Sequence, residues 1–230
     1  MPMKKLIQPF IDIVFPHTCA CCGQGLGDQE RYICRWCRES RFDEAIADDK
    51  VILPNNVMFV FSMWQFDKGG YLQDLLHGLK YNFLQEVGEE LGYFAGRDFL
   101  DKADPDLLQS VEAKSPLLIP VPLHKSKKRT RGYNQSRALA RGFSRATGWE
   151  VIQDGIIKRV KKTKTQTGLN TKERNENLRQ AFVIDHQFIS DNYFPIVIDD
   201  VFTTGATTFE LVNVVANDGS KAGIVTIAKS

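Results

Sequence analysis

The segment Ile196-Val197-Ile198-Asp199-Asp200-Val201-Phe202-Thr203-Thr204-Gly205-Ala206-Thr207 concentrates residue types that can handle a phosphorylated sugar. A short apolar strand delivers two adjacent carboxylates at its carboxyl end, and a Thr/Gly turn then opens a helix. Gly205 lets the backbone approach an oxygen closely, and the amide N–H groups of a helix start point at an anion. The hydroxyls of Thr203, Thr204 and Thr207 add donors without bulk. Carboxylates beside a phosphate loop repel the phosphate, so Asp199 and Asp200 must serve something else: ribose hydroxyls or a divalent cation. Phosphate, ribose and metal together describe a sugar phosphate. An ordinary helix start with a threonine N-cap accounts for Thr203 or Thr204 but gives no reason for a second carboxylate.

The five cysteines form the second group with chemistry, all within the first 37 residues: Cys19, Cys21, Cys22, Cys34 and Cys37. Cys19 with Cys22 and Cys34 with Cys37 make two C-x2-C knuckles. Two residues between thiolates let one tight turn aim both sulfurs at a single ion, and Gly23 supplies backbone freedom at the first turn. Four thiolates fill a tetrahedron, so the expected ion is a structural zinc with no open position for catalysis. A redox disulfide pair is the competing reading. Cys21 is the odd thiol, a swap of ligand role between Cys19 and Cys21 stays open, and His17 is the alternative ligand.

Charge is unevenly distributed. The net charge is +2, yet residues 125–174 hold 15 of the 30 Lys and Arg against three acids, Glu150, Asp154 and Glu173. An excess of twelve positive charges in fifty residues favours an anionic partner: nucleic acid, a polyphosphate ligand or a membrane surface. A pair of solvated basic loops is the plainer alternative. Tyr133 and Trp149 lie in this window and can stack on bases, although aromatic residues of this kind more often belong to a core.

These groups need a scaffold. With 230 residues, 43% hydrophobic and 25% charged, the chain is long enough for one full domain and an appendage, and its composition excludes a disordered, collagen-like or disulfide-stapled protein. No apolar run approaches the ~20 residues of a membrane span. Met1 to Phe15 has the spacing of an amphipathic helix and lacks a cleavage site, which places the protein in the cytoplasm. Val57 to Phe66 reads as a strand buried on both faces. Tyr71 to Leu79 and Val87 to Phe99 read as helices, Leu117 to Ile119 as a strand and the stretch through about Phe143 as helical. Val151 to Ile157, Ala181 to Ile184, Ile196 to Ile198 and Ala222 to Ala228 read as strands, and Ala206 to Ala216 as a helix. Alternation of this kind implies an α/β protein with a mostly parallel sheet flanked by helices. The boundaries expected are 1–45 for an N-terminal helix and four-cysteine zinc ribbon, 46–114 for a strand-helical hood or linker, and 115–230 for the core.

At Asp199 to Thr207 the chain resembles the type I phosphoribosyltransferases, whose signature is an apolar strand, two acidic residues and a Thr-Thr-Gly-x-Thr loop that binds phosphoribosyl pyrophosphate (PRPP). The resemblance narrows to the ComF family through Pro120-Val121-Pro122-Leu123, Arg131-Gly132-Tyr133-Asn134-Gln135, Arg159 with Thr163, Gln166 and Leu169, Arg174 with Asn177, and Ala181-Phe182. Phe15-Pro16 ahead of the cysteines and Leu79-Lys80-Tyr81 belong to the same pattern. After Tyr81, where the family continues with a glycine, this chain has Asn82-Phe83.

The resemblance implies a type I phosphoribosyltransferase-like fold with a small N-terminal zinc-binding module, in proteins of competence, natural transformation and DNA uptake. It implies that Asp199 and Asp200 hold the ribose diol and act as the catalytic pair, and that Val201 to Thr207 (Val201, Phe202, Thr203, Thr204, Gly205, Ala206, Thr207) hold the 5-phosphate end of PRPP. The segment Val121 to Arg131 becomes the pyrophosphate loop, with Leu123 and Arg131 in contact, and Lys158 to Arg174 a closing loop. Magnesium comes with PRPP and zinc is structural. Lys127, Lys128, Arg129, Lys161, Lys162, Lys164 and Arg174 are the expected basic contacts to the closing ligand or to single-stranded DNA. Further partners implied are other competence proteins, a DNA helicase or translocase among them. Two activities compete: a PRPP-binding factor that handles single-stranded DNA, and an active transferase that moves phosphoribosyl from PRPP to a nucleobase-like acceptor with release of pyrophosphate. His124 adjoins the pyrophosphate loop; His77 and His186 read as structural.

Overall fold

Five strands form one parallel sheet in the order β1-β7-β6-β2-β3. They are β1 (Val57–Gln65), β2 (Ser115–Pro120), β3 (Glu150–Val151), β6 (Tyr193–Phe202) and β7 (Ala222–Lys229), while β4 (Ile157–Arg159) and β5 (Phe182–Ile184) make a separate antiparallel pair. Among the described residues the α-helices are α1 (Tyr71–Tyr81), α2 (Gln85–Lys102), α3 (Pro105–Glu112), α4 (Lys125–Arg131), α5 (Gln135–Thr147) and α6 (Ala206–Val215), and a π-helical turn spans Cys37–Arg41. The computed structural model describes residues 17–46, 51–81, 84–160, 181–184, 192–216 and 219–230.

β6 and β7 are central because their sequences are apolar on both faces, as a strand covered on both sides requires. On one face Ile196, Ile198, Val225 and Ile227 pack with Leu72, Leu76, Leu91, Leu139 and Phe143 of α1, α2 and α5. On the other, Val197 and Ile224 pack with Leu211, Val212 and Val215 of α6 and with Ile157 and Phe182 of the antiparallel pair. Burying each such side chain is worth about 1.5–3 kcal/mol, so both layers hold the sheet. α2 and α5 approach closely at glycines: a side chain on Gly92 would run into the Leu139 carbonyl, and one on Gly142 into that of Glu89.

Most of the expected elements occur, but the helical stretch through Phe143 is two helices, α4 and α5, parted at Gly132 to Asn134, and Lys158 and Arg159 belong to β4 rather than to a loop. Three further elements differ. β1 is an edge strand, half-buried along much of its length rather than buried on both faces, and residues 43–45 bridge to its outer side through Ala45 N–H to the Met63 carbonyl and Gln65 N–H to the Asp43 carbonyl. The stretch 151–157 is not one strand. β3 ends at Val151 and a turn carries the chain out of the sheet to β4, where Ile157 faces Ile184. α3 has no counterpart in the expectations; Asp104 caps it, accepting from the amides of Asp106 and Leu107, and Pro105 suits its first position. Because β1 lies in the main sheet and α2 packs on α5, the sheet and its cover draw on residues from both sides of position 114.

Among the described residues no helix is long and apolar enough to cross a membrane. The N-terminal helix expected over Met1 to Phe15 lies outside the described residues, as do Lys161, Lys162, Lys164, Arg174 and His186.

Candidate functional site

The strand order creates the cleft. The chain leaves β2 toward β3 and leaves β6 toward β7, in opposite directions along the sheet, so the carboxyl ends of β2 and β6 border a topological switch point. A cleft of about 260 Å³ opens there. Val121 and Leu123 line it from the β2 side, Asp199 to Thr208 from the β6 side, and Lys127 and Arg131 from α4. All residues expected at a PRPP site are therefore brought together: Asp199, Asp200, Val201, Phe202, Thr203, Thr204, Gly205, Ala206, Thr207, Leu123 and Arg131.

The Thr/Gly turn has the geometry an anion needs. Gly205 has φ +71°, and a Cβ there would collide with the Phe209 and Phe202 rings, so glycine is required on both counts. No side chain caps α6, and the first turn of this helix lines the cleft. Thr203 is exposed and Thr204 and Thr207 are half-buried beside them.

The two aspartates sit in unequal environments. Ser136 Oγ donates to Asp199 Oδ1 at 2.9 Å, and the Asp200 amide donates to the same oxygen at 3.0 Å. Burial, followed by the neighbouring Asp200 carboxylate, nevertheless raises Asp199 to about 7. Asp200 is 7% exposed. Burial pushes its carboxyl up as well, but the Lys80 ammonium, 2.5 Å from Asp200 Oδ2, overrides that and holds it below the usual range.

Positively charged groups make up much of the remaining wall. Lys127 and Arg131 stand four residues apart on α4, hence on one face, whereas Lys128 and Arg129 point outward and are exposed. Arg159, at the end of β4, lies 5.4 Å from the Phe182 ring centre and also lines the cleft. Burial, then the charges of Arg159, Arg131 and Lys80, lowers the Lys127 amine. The turn Gly132 to Gln135 locks α4 to its surroundings: Tyr133 Oη donates to the Leu79 carbonyl, Asn134 Nδ2 donates to the Val121 carbonyl, and Asn134 caps α5. Gln135 is 4% exposed and its Oε1 has no hydrogen-bond partner among the described residues, which leaves an acceptor at the cleft wall.

The sequence assigns no role to Lys80, Gln135 or Ser136, and places Arg159 only within the closing loop. Lys80, Gln135 and Arg159 belong to the quoted motifs and Ser136 directly follows one, but only strand order and the fold of α1 over the sheet put them in one cleft. His124 is spent locally, its Nδ1 lying 2.8 Å from Ser126 Oγ at the start of α4. Trp149 is buried among Phe99 and Phe143, so stacking on bases does not fall to it, and half-buried Tyr133 is tied to α1 through its hydroxyl.

At the amino-terminal end, Cys19, Cys22, Cys34 and Cys37 bring their sulfurs within 4.8 Å of one another, an arrangement that can hold one tetrahedral ion. Cys19 takes the ligand position ahead of Cys21, and exposed His17 stands outside the set. The Cys34 and Cys21 amides point at Cys19 Sγ at 3.3 and 3.4 Å. Burial opposes ionisation of this thiol, yet backbone donors from Cys34, Cys22 and Cys21 bring it down to about 7. The module is tied to the body by Glu90 of α2, which accepts from the Tyr32 and Ile33 amides, both at 3.0 Å. Arg41 lies between the rings of Trp36 and Tyr71 at 4.2 and 3.7 Å, and Arg38 covers Phe94.

Comparison with known proteins adds a direction. No family model matches the chain. It is 43% identical over 100 residues to competence protein F of Haemophilus influenzae, covering 41% of each chain. It is 28% identical over 151 residues to the DNA utilization protein YhgH of Escherichia coli strain K12, covering 66% of this chain and 63% of that one. With competence protein ComFC of Bacillus subtilis it shares 25% identity over 209 residues, 90% of this chain and 75% of that one. The match thus spans less than two thirds of the length of the first two relatives.

Proposed function

We propose that this chain is a cytoplasmic ComF-family protein that binds PRPP with magnesium and takes part in handling single-stranded DNA during natural transformation. The observation that carries the ligand is the convergence at one switch point of an aspartate pair, an uncapped helix start and a wall of cations. The names of the relatives carry the DNA role.

Each part of the ligand has a partner. Asp199 and Asp200 accept from the ribose hydroxyls, the α6 amides and Thr203, Thr204 and Thr207 hold the 5-phosphate, and Lys127, Arg131 and Arg159 neutralise the diphosphate. Bound with PRPP, magnesium supplies further charge neutralisation on the diphosphate. The cysteine set holds zinc, which closes the module and leaves catalysis to the cleft. Exposed Lys128 and Arg129, with Lys161, Lys162, Lys164 and Arg174, supply the nucleic-acid surface. One observation favours the transferase reading: a carboxyl held near 7 can take a proton from an acceptor at neutral pH.

Binding of PRPP and of a labelled single strand to the Asp199→Ala/Asp200→Ala double variant tests the proposal. Each charged hydrogen bond lost is worth ~1.5–3 kcal/mol, so PRPP affinity falls at least about a hundredfold. Affinity for the strand holds or rises slightly, because phosphates gain nothing from acidic partners. Unchanged PRPP affinity in the double variant overturns the assignment of the cleft, and pyrophosphate release with a nucleobase acceptor separates transferase from binding factor.

A further inference from the structure

Lys80 belongs to neither of the strand-end loops that frame the cleft. It stands on the last turn of α1, whose Leu72, Leu75, Leu76 and Leu79 are fully buried against the sheet cover, and Tyr133 Oη ties that turn to the start of α5. The lysine stem therefore enters the cleft from a fixed point. Its ammonium meets Asp200 Oδ2 at 2.5 Å, and this ion pair neutralises a carboxylate that burial would otherwise push up. Two adjacent carboxylates facing a phosphate site are otherwise donors for a hard divalent cation. Here a tethered ammonium stands against them.

We propose that Lys80 is a built-in cation, holding the place at Asp199 and Asp200 that a divalent ion would take, so that the pair receives a ligand's vicinal hydroxyls without metal and magnesium enters only with a diphosphate. This rests on the phosphoribosyl reading for the identity of the ligand; the competition between Lys80 and a metal ion does not. Charge supports it. Asp200 raises the Lys80 amine, and Asp199 is raised to about 7 by burial and by Asp200, so at neutrality Asp199 is only about half ionised and Lys80 matches most of the charge of the pair. Lys127, Arg131 and Arg159 then repel a free cation. A diphosphate reverses that balance and brings its own magnesium past them.

Manganese binding to the zinc-loaded full chain, read as loss of the free-ion resonance signal, tests the proposal without any phosphoribosyl ligand. The wild type binds no manganese at the cleft up to about 1 mM, Lys80→Met gains a site at least about tenfold tighter, and Lys80→Met/Asp200→Asn loses it. If Lys80→Met fails to fold, Lys80→Gln carries the same measurement. A wild-type manganese site abolished by Asp199→Asn/Asp200→Asn overturns the proposal, and so does a folded Lys80 variant that binds no more manganese than the wild type. Calorimetry with ribose 5-phosphate completes the test: the wild type binds it equally with and without magnesium, and Lys80→Met requires the metal. Magnesium dependence in the wild type overturns the proposal. Absence of ribose 5-phosphate binding under all conditions, with the manganese results as expected, overturns the phosphoribosyl reading and upholds the role of Lys80.

Discussion

Asp199→Asn is the substitution in which the electrostatics of the cleft become a stability measurement. The amide keeps the shape and an oxygen to accept from Ser136 and from the Asp200 amide. What it removes is the cost of ionising a buried carboxyl that faces Asp200, Lys80 and Arg159. A shift from 3.8 to about 7 is roughly three pH units at ~1.36 kcal/mol each, about 4 kcal/mol in all. The folded-state value is raised, so the stabilisation is complete below the unfolded value and is lost as pH rises through about 7. About 2 kcal/mol of the loss falls between roughly pH 5.5 and 8.5, where the cysteine thiolates retain a metal. Asp200 has the opposite sign, and its contribution disappears only below about pH 4. Urea unfolding of the zinc-loaded wild type and variant across that window therefore shows the variant gaining about 2 kcal/mol relative to the wild type as pH rises. A stability difference that stays constant across the window refutes the assignment of a raised Asp199.

Gly142→Ala forces a methyl group into the Glu89 carbonyl at the α2–α5 crossing and costs about 3 kcal/mol or more, read as a fall in the urea midpoint with an unchanged slope. Glu90→Leu leaves the buried Ile33 amide and the part-buried Tyr32 amide without their acceptor, at about 3 kcal/mol, and releases zinc to a chromogenic chelator at least about tenfold faster than the wild type. Equal release rates would show that the module holds its metal without help from α2.

The sequence revealed groups whose chemistry is local. Asp199 to Thr207 and the two cysteine knuckles are continuous, and period-two or helical spacing marked most of the elements that carry them. Strand order was not legible, because which strand neighbours which depends on packing between segments far apart in the chain. The resemblance sends the loops after β2 and β6 to one ligand, but nothing in the sequence foretells the meeting of Lys80 and Asp200, 120 positions apart. The run from Val151 to Ile157 illustrates the opposite failure: its apolar residues serve two different sheets, and composition alone cannot show the turn between them. Trp149 lies in the most basic part of the chain yet is buried in an aromatic cluster, since charge along a sequence says nothing about the direction of a ring.

The position of β7 between β1 and β6 governs the order in which this protein can be built. Val57 pairs with Ala222, so β1 leaves the ribosome long before its neighbour exists, and β6 also waits with one edge open. Until β7 emerges, two apolar strand edges stand unpaired, the state in which nascent chains aggregate and chaperones bind. Completion of the sheet is then a single late event that joins both edges at once, and a chain broken off before Ala222 lacks the strand that unites them. Biosynthesis thus imposes a delay between translating the aspartate pair and assembling the sheet that supports it.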